Sequence, residues 1–531
     1  MISLPRNLSI AAAFAAAFST LTLVQGAPVP ANGPADPIPP KPLKKGDPER
    51  GRDVFRFETF GTEAFWTDIV RLPQGRLEKK VTILSSLRNG LHFDAEALPP
   101  RIRKDIEREV KTDLSPEKAP TLNNPALMPE LVRANAVIGM VERNGKTGIT
   151  CCLCHTITDH SVFALGDRGS IGRRIDGPTP YSLEVGHLLA EAQNSRALYA
   201  LLQLDLGGAS IGRVPKYRLT KDSTEEEVDG YLNDPKAWPA GTFDETPDGV
   251  GNPVVISPLF RQDLSAPYGS SGQNDVLDDF ANTIYTVLFD QSNLLTSGGS
   301  TLLHVLGAAA GDKIVADYAH LIEGLNVHGH PYVVARDGLP VGAPPSPTGK
   351  RVDEQKLLDF NAYMAAMRAP EGHRENKDAV ARGREAFRSN CTSCHNVDPL
   401  QPVDTHLVPM ETIWPGYKPT VISTRMAPLT PIQDSPGTFD DKMIVIDASP
   451  VGGPRGNALP LLLDLARRPF FLHDASVPSL DALLDPERGT MAPHPFFVTS
   501  PALRSDVAAF LRSLGQPSSG SKSPHLPQGS K

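Results

Sequence analysis

Cysteine is scarce in this chain, with five residues in 531, which excludes a scaffold built on disulfides. Tryptophan is scarcer still at three, and all aromatics together make up 6%. No run of one charge sign is long enough to form a nucleic-acid surface, and Lys+Arg 53 against Asp+Glu 61 leaves a net charge of −8. No clean apolar run reaches the roughly 20 residues of a bilayer span, so a polytopic membrane protein is excluded. What remains is a globular composition, 40% hydrophobic and 21% charged. At about 150 residues per domain the length suggests three or four domains.

The one apolar stretch, Leu8 to Val24, follows Arg6 and ends in small residues near Gly26. It reads as a secretory signal over residues 1–26. Ser9, Ser19, Thr20 and Thr22 dilute it below what a membrane anchor needs, so no transmembrane anchor is expected after cleavage. The expected compartment is the periplasm or the exterior. Residues 27–48 hold eight prolines and read as an extended linker. Residues 516–531 are mostly Gly, Ser, Pro and Lys with little to bury, and a disordered tail is expected there.

Four of the five cysteines fall in two C-x-x-C-H motifs, Cys151-Cys152-Leu153-Cys154-His155 and Cys391-Thr392-Ser393-Cys394-His395. This is the attachment pattern of c-type haem: Cys151, Cys154, Cys391 and Cys394 would bond two porphyrins through their thiols. His155 and His395 would then lie beneath the irons as proximal ligands. A dithiol would not call for histidine after both pairs, and a zinc site would need the two motifs to converge. Cys152 is left over, and its simplest role is a small buried apolar residue within the turn.

Each motif is expected to follow one helix and to be closed by another. The second has Gly383 to Phe387 leading into Cys391, and Pro501 to Leu514 with an apolar face at helical spacing, bounding a C-terminal cytochrome c domain over 371–515. The first has a closing helix from Val352 to Arg368 ahead of Pro370. Its opening is displaced. Gly51-Arg52-Asp53-Val54-Phe55 repeats the Gly-x-x-x-Phe pattern, yet Cys151 comes about a hundred residues later, after an aromatic cluster that includes Phe65 and Trp66. A second candidate helix, Glu130 to Val141, also runs towards Cys151. The expected fold is therefore mainly α, with two cytochrome c-like haem domains and long loops. The first, over 49–370, carries a large insertion.

Residues Arg455 to Pro460 and Arg468-Pro469-Phe470-Phe471-Leu472-His473-Asp474-Ala475-Ser476-Val477-Pro478 resemble the C-terminal part of the bacterial di-haem cytochrome c peroxidase superfamily. Methylamine-utilisation di-haem enzymes and rubber oxygenases are among its relatives. Ala475 departs from the glycine usual there. Gly148 to His155 also resembles large exported di-haem cytochromes of that group. The resemblance implies electron transfer, with a C-terminal haem relaying electrons to an N-terminal haem that reduces peroxide. It also implies an axial ligand after His473, but Glu487 stands where the family has methionine. His494 and Met491 are then the candidate distal ligands, and a thioether would raise the potential relative to imidazole.

For the N-terminal haem, His187, His304, His328 and His330 are candidates for the sixth position, while His160, five residues past His155, is too near in sequence to reach the opposite face. Arg173 and Arg174 could pair with propionates, a guanidinium matching a carboxylate in bidentate fashion. Asp244, Glu245 and Asp248 could hold calcium, and Glu184 is one of several acids that could serve peroxide chemistry. The cofactors expected are two covalent haems. The partners are a redox protein and hydrogen peroxide or another small oxidant. A pure electron carrier, or an oxygenase or oxidase of an organic substrate, are the alternative functions.

Overall fold

The computed structural model describes residues 45–198, 219–235, 238–244, 253–265, 268, 276–307, 309–342, 345–392, 394–395, 408–409, 412, 456–457, 460–472 and 475–515. The signal, most of the linker, the tail, Glu245, Asp248, His473 and Asp474 lie outside the described residues.

Two helix crossings organise the chain, and they repeat one another. The Pro48–Phe57 helix starts where the Asp47 side chain accepts the backbone N–H groups of Glu49 and Arg50. It packs on the Glu354–Ala366 helix. The Lys377–Asn390 helix, capped by Asn376, packs in the same way on Pro501–Ser513. Each crossing is made close by a glycine. A Cβ at Gly51 would sit 1.9 Å from the Asp359 carbonyl oxygen, and one at Gly383 would sit 2.0 Å from that of Asp506. The arginine before each glycine then pairs with the side chain of that aspartate, Arg50 with Asp359 at 2.8 Å and Arg382 with Asp506 at 2.7 Å. The phenylalanine four residues after each glycine meets an aromatic ring of the closing helix, Phe55 with Tyr363 at 5.7 Å and Phe387 with Phe510 at 5.4 Å. Arg-Gly-x-x-x-Phe against a distant aspartate is thus one design used twice.

Among the described residues the fold is mainly helical, with short two- and three-stranded sheets. No described helix is long and apolar enough to cross a membrane. The expected helix over 130–141 is much shorter. It spans Met128–Arg133 and stops where Asn135 and Gly139 take left-handed backbone angles; Met140–Arg143 is instead a strand paired with Lys146–Ile149. The long stretch after His155 is not merely loops. Leu303, Ile314, Tyr318 and Ile322 from its helices join the same apolar core as Phe65, Trp66 and Leu131. Nor is the division near residue 370 clean, because Leu463 is buried in the first unit's core and Phe470 packs edge-on against Tyr181.

Candidate functional site

Both C-x-x-C-H segments form a single tight turn. Cys152–His155 is one helical turn, opened by the Leu153 N–H donating to the Thr150 carbonyl at 3.0 Å. In the second motif the N–H groups of Cys394 and His395 both donate to the Cys391 carbonyl, at 3.2 and 2.9 Å. A three-residue separation on such a turn sets the two cysteines on one face.

The second turn follows the Lys377–Asn390 helix directly, with Cys391 as its cap. The first, a hundred residues removed, returns to the equivalent place: the Thr150 hydroxyl donates to the Arg56 carbonyl at 3.1 Å and the Cys152 thiol to that of Phe55 at 3.7 Å. The Gly-x-x-x-Phe helix is therefore the one that abuts each motif. Residues 58–149 are an insertion between helix and turn.

Cys151, Cys154 and His155 line a cavity of about 1090 Å³ of empty space, its mouth included. Its other walls are almost wholly apolar, among them Val185, Leu188, Leu189, Phe280, Phe360 and Met364. Two π-helical turns, Phe65–Ile69 and Ile284–Leu288, contribute Trp66, Ile284, Tyr285 and Leu288, and such turns recur at functional sites. Burial pushes the Cys151 thiol up to about 11 and Cys154 up to about 12, while Cys152 rises far above the ordinary thiol range, so none is a reactive thiolate. Burial lowers His155 to about 4, with the Ser257 backbone acting the other way. The Tyr285 hydroxyl lies 3.3 Å from the Cys151 sulfur.

Several polar atoms on these walls are buried without a hydrogen-bond partner: the indole nitrogens of Trp66 and Trp238, His155 Nδ1, and both amide atoms of Gln291. Gln291 is 0% exposed, in a run of four fully buried polar residues, 290–293. Its neighbours are mostly engaged, although Asn293 Oδ1 also lacks a partner. Asp290 accepts the N–H groups of Tyr332 and Val333 at 2.6 and 2.8 Å, and Asn293 donates to the Thr286 carbonyl and the Thr348 hydroxyl. Leaving a buried amide unmade costs about 1–3 kcal/mol, so Gln291 requires a partner that the surrounding protein groups do not supply. From sequence alone such a polar run reads as a turn. Its signal lay in the apolar segments on both sides.

In the second unit His395 faces His494, with ring centres 6.4 Å apart. Burial, then the neighbouring His395, lowers His494 to about 4, and its Nδ1 is buried without a partner. His494 holds a left-handed φ of 57°, a conformation that persists only where the surroundings impose it. Here Arg488 imposes it, donating to the Leu483 and Pro493 carbonyls. Met491 is 60% exposed and Glu487 is exposed on the turn before it.

Other expected residues lie elsewhere. Arg173 pairs with Asp159 at the surface, and Arg174 with Asp94 at 2.6 Å and with the Asn135 carbonyl. Neither lines the cavity: Arg174 begins the strand paired with Thr156–Thr158, Arg173 immediately precedes it, and their guanidinium groups reach other carboxylates. None of His160, His187, His304, His328 and His330 lines it either, and His304 pairs with Asp312 on the surface. Asp244 ends a short strand, and among the described residues no three metal-binding side chains converge, so neither a calcium nor a zinc cluster is formed by them. Among the described residues no carboxylate lines the cavity, and Glu184 pairs with Arg168.

Glu184 and Arg168 belong to a second, more open cleft of about 1760 Å³, its mouth included, lined also by His92, His160, His187, Tyr181, Arg467 and Phe470. His92 Nδ1 accepts the Ser170 N–H at 3.1 Å, so its hydrogen sits on Nε2, which is buried and unpartnered. Burial, with His160 and Arg467 adding to it, lowers His92 from 6.5 to about 3. The unfolded chain therefore binds the proton more readily between pH 3 and 6.5, and stability is lost as pH falls through that window. At pH 5 the loss is about 2 kcal/mol. Asp279, raised to about 6 chiefly by burial, acts in the opposite sense. Comparing urea unfolding of the wild type with His92→Asn at pH 7 and pH 5 isolates the histidine; the variant loses less stability on acidification by about that amount.

No protein-family model and no curated protein matches the chain. A solved structure of Kuenenia stuttgartiensis hydrazine synthase, pressurised with xenon, is similar over 61% of this chain and 88% of that one, at 12% identity and a TM-score of 0.27. So low a score carries no inference about fold or function.

Proposed function

We propose that the chain is an exported di-haem c-type cytochrome that transfers electrons and reduces peroxide at its N-terminal haem. The observation that carries this is the repeated arrangement: each C-x-x-C-H turn stands at the end of an Arg-Gly-x-x-x-Phe helix crossed by an aspartate-bearing helix.

The residues fit the group. The first motif opens onto an apolar cavity whose unpartnered polar atoms await a ligand. In the second, two imidazoles bonded to one metal at about 2 Å each, plus roughly 1 Å from nitrogen to ring centre, would have centres about 6 Å apart, close to the 6.4 Å observed. A bound haem supplies a reversible one-electron couple and, where a coordination position is open, a binding site for a small oxidant. Cys151, Cys154, Cys391 and Cys394 would hold the macrocycles, and His155, His395 and His494 the irons.

The chain's own contribution at the first site is polar economy. The apolar walls exclude water, and Gln291 is the amide able to donate to one oxygen of a bound peroxide and accept from the other. Among the described lining residues the family's carboxylate has no counterpart; Gln291, which itself does not exchange a proton at neutral pH, would orient a water that carries it. Gln291→Leu should lower peroxide consumption about ten- to a hundredfold, at or below the low end of what a positioned proton-transfer group contributes, while leaving both covalent haems in place. Steady-state peroxide assays with haem quantified on the same sample check this.

A second reading is favoured by one residue. Met364 lines the same cavity, and ligation through its thioether would leave a pure electron carrier. Met364→Leu separates the two, since the optical and EPR spectra of the ferric protein change only if the sulfur is a ligand.

A further inference from the structure

The two cavities of the first unit share a wall. Trp238 lines both the apolar cavity at Cys151 and the open cleft around His92. The short Val185–Ala190 helix is part of the same partition, with His187 on the cleft side and Val185, Leu188 and Leu189 on the other. Trp238 is fixed there by edge-on packing against Phe243 at 5.6 Å and Tyr231 at 6.5 Å, and its indole nitrogen is buried without a partner.

The cleft has the composition of a site for a planar, oxygen-bearing molecule. Tyr181, Trp238 and Phe470 present rings, and Pro180, Pro239 and Pro469 present flat apolar faces. The His92 Nε2–H is an unused donor just beneath the wall, itself shielded from solvent. Arg168 and Arg467 bring guanidinium groups, but Glu184 and Asp464 already neutralise them, so a strongly anionic ligand gains little. The cleft's histidines do not converge as metal ligands. Aromatic stacking with hydrogen-bond donation to a ring oxygen is what the walls offer.

We propose that this cleft binds a phenolic electron donor of the hydroquinone class and that Trp238 is the contact through which its electrons enter the haem cavity. This rests on haem being bound at Cys151 and Cys154. The step balances as one hydroquinone oxidised to quinone with loss of two electrons and two protons. The two electrons would be taken up one each by the two ferric haems that Cys151 and Cys154, and Cys391 and Cys394, would hold, and both protons would leave to water at the open mouth of the cleft. Trp238 is a positioning residue for that transfer and is unchanged at its end.

The test is anaerobic stopped-flow reduction of the ferric holoprotein by hydroquinone, with dithionite as the control reductant and no peroxide present. The expected rate saturates with hydroquinone concentration. The half-saturating concentration rises at least tenfold in His187→Trp and Asn233→Trp, which fill the cleft, and dithionite reduction does not change. Trp238→Phe should lower the saturated rate at least tenfold with a smaller change in half-saturation. A strictly linear dependence in the wild type overturns the binding site, as does an unaltered half-saturation in both filled variants. An unaltered saturated rate in Trp238→Phe overturns the route through the indole. A failure of the peroxidase reading is seen separately, as ferric protein that accepts electrons from hydroquinone but does not consume peroxide. A failure of haem attachment is seen as absence of covalent haem before mixing.

Discussion

Cys151→Ala combined with Cys154→Ala is expected to leave the purified chain with one covalent haem in place of two, and to destabilise the first unit severely. The two thiols stand on the lip of an apolar cavity lined by side chains from the 58–149 insertion, the Ile284–Leu288 turn and the closing helix. Without a covalent occupant those walls lose their packing partner. The cost should reach roughly 3–5 kcal/mol, a range that single large-to-small core changes already attain. The corresponding Cys391→Ala and Cys394→Ala pair should remove the other haem while the first remains. Cys152→Ala is the control. Its thiol points away from the cavity towards the Phe55 carbonyl, so both haems should stay. Intact mass and haem staining of denatured protein read all three.

His494→Leu is expected to change the C-terminal iron from low-spin, six-coordinate to high-spin, five-coordinate. The imidazole is held opposite His395 by a loop with little freedom: Arg488 ties its base, Phe496 packs on the ring at 5.3 Å, and the backbone at His494 is in a left-handed conformation. Leucine offers no lone pair and fills much of the same space. Met491→Leu should leave the spectrum untouched, since that side chain is 60% exposed. If Met491→Leu changed the spin state and His494→Leu did not, the ligand would be the thioether.

Some of this was legible in the chain and some was not, for physical reasons. The C-x-x-C-H motifs are contiguous, so the expectation of haem attachment can be stated without the fold. The helices that bracket them carry caps and apolar periodicity, and Pro501–Ser513 and Glu354–Ala366 fall close to where periodicity puts them. The partner aspartates of the duplicated crossing were hidden because Arg50 and Asp359 are 309 residues apart. Only the fold discloses that Arg50-Gly51 and Arg382-Gly383 do the same work. The helix expected over 130–141 failed because Asn135 and Gly139 outweigh the apolar spacing around them. Arg173 and Arg174 looked like carboxylate binders, and they are, but strand pairing directs them to Asp159 and Asp94. Gln291 was invisible because a buried polar run and a surface turn share a composition; burial separates them, and burial is a tertiary property.

The most direct test of two covalent haems with unlike coordination is a low-temperature EPR spectrum of the purified, fully oxidised protein, with haem counted on the same sample. The expected result is two haems per chain, one low-spin ferric signal assigned to His395 and His494 by its loss in His494→Leu, and one high-spin signal from the His155 site. Two low-spin signals would contradict an open N-terminal iron, and fewer than two covalent haems would contradict the reading of the motifs themselves.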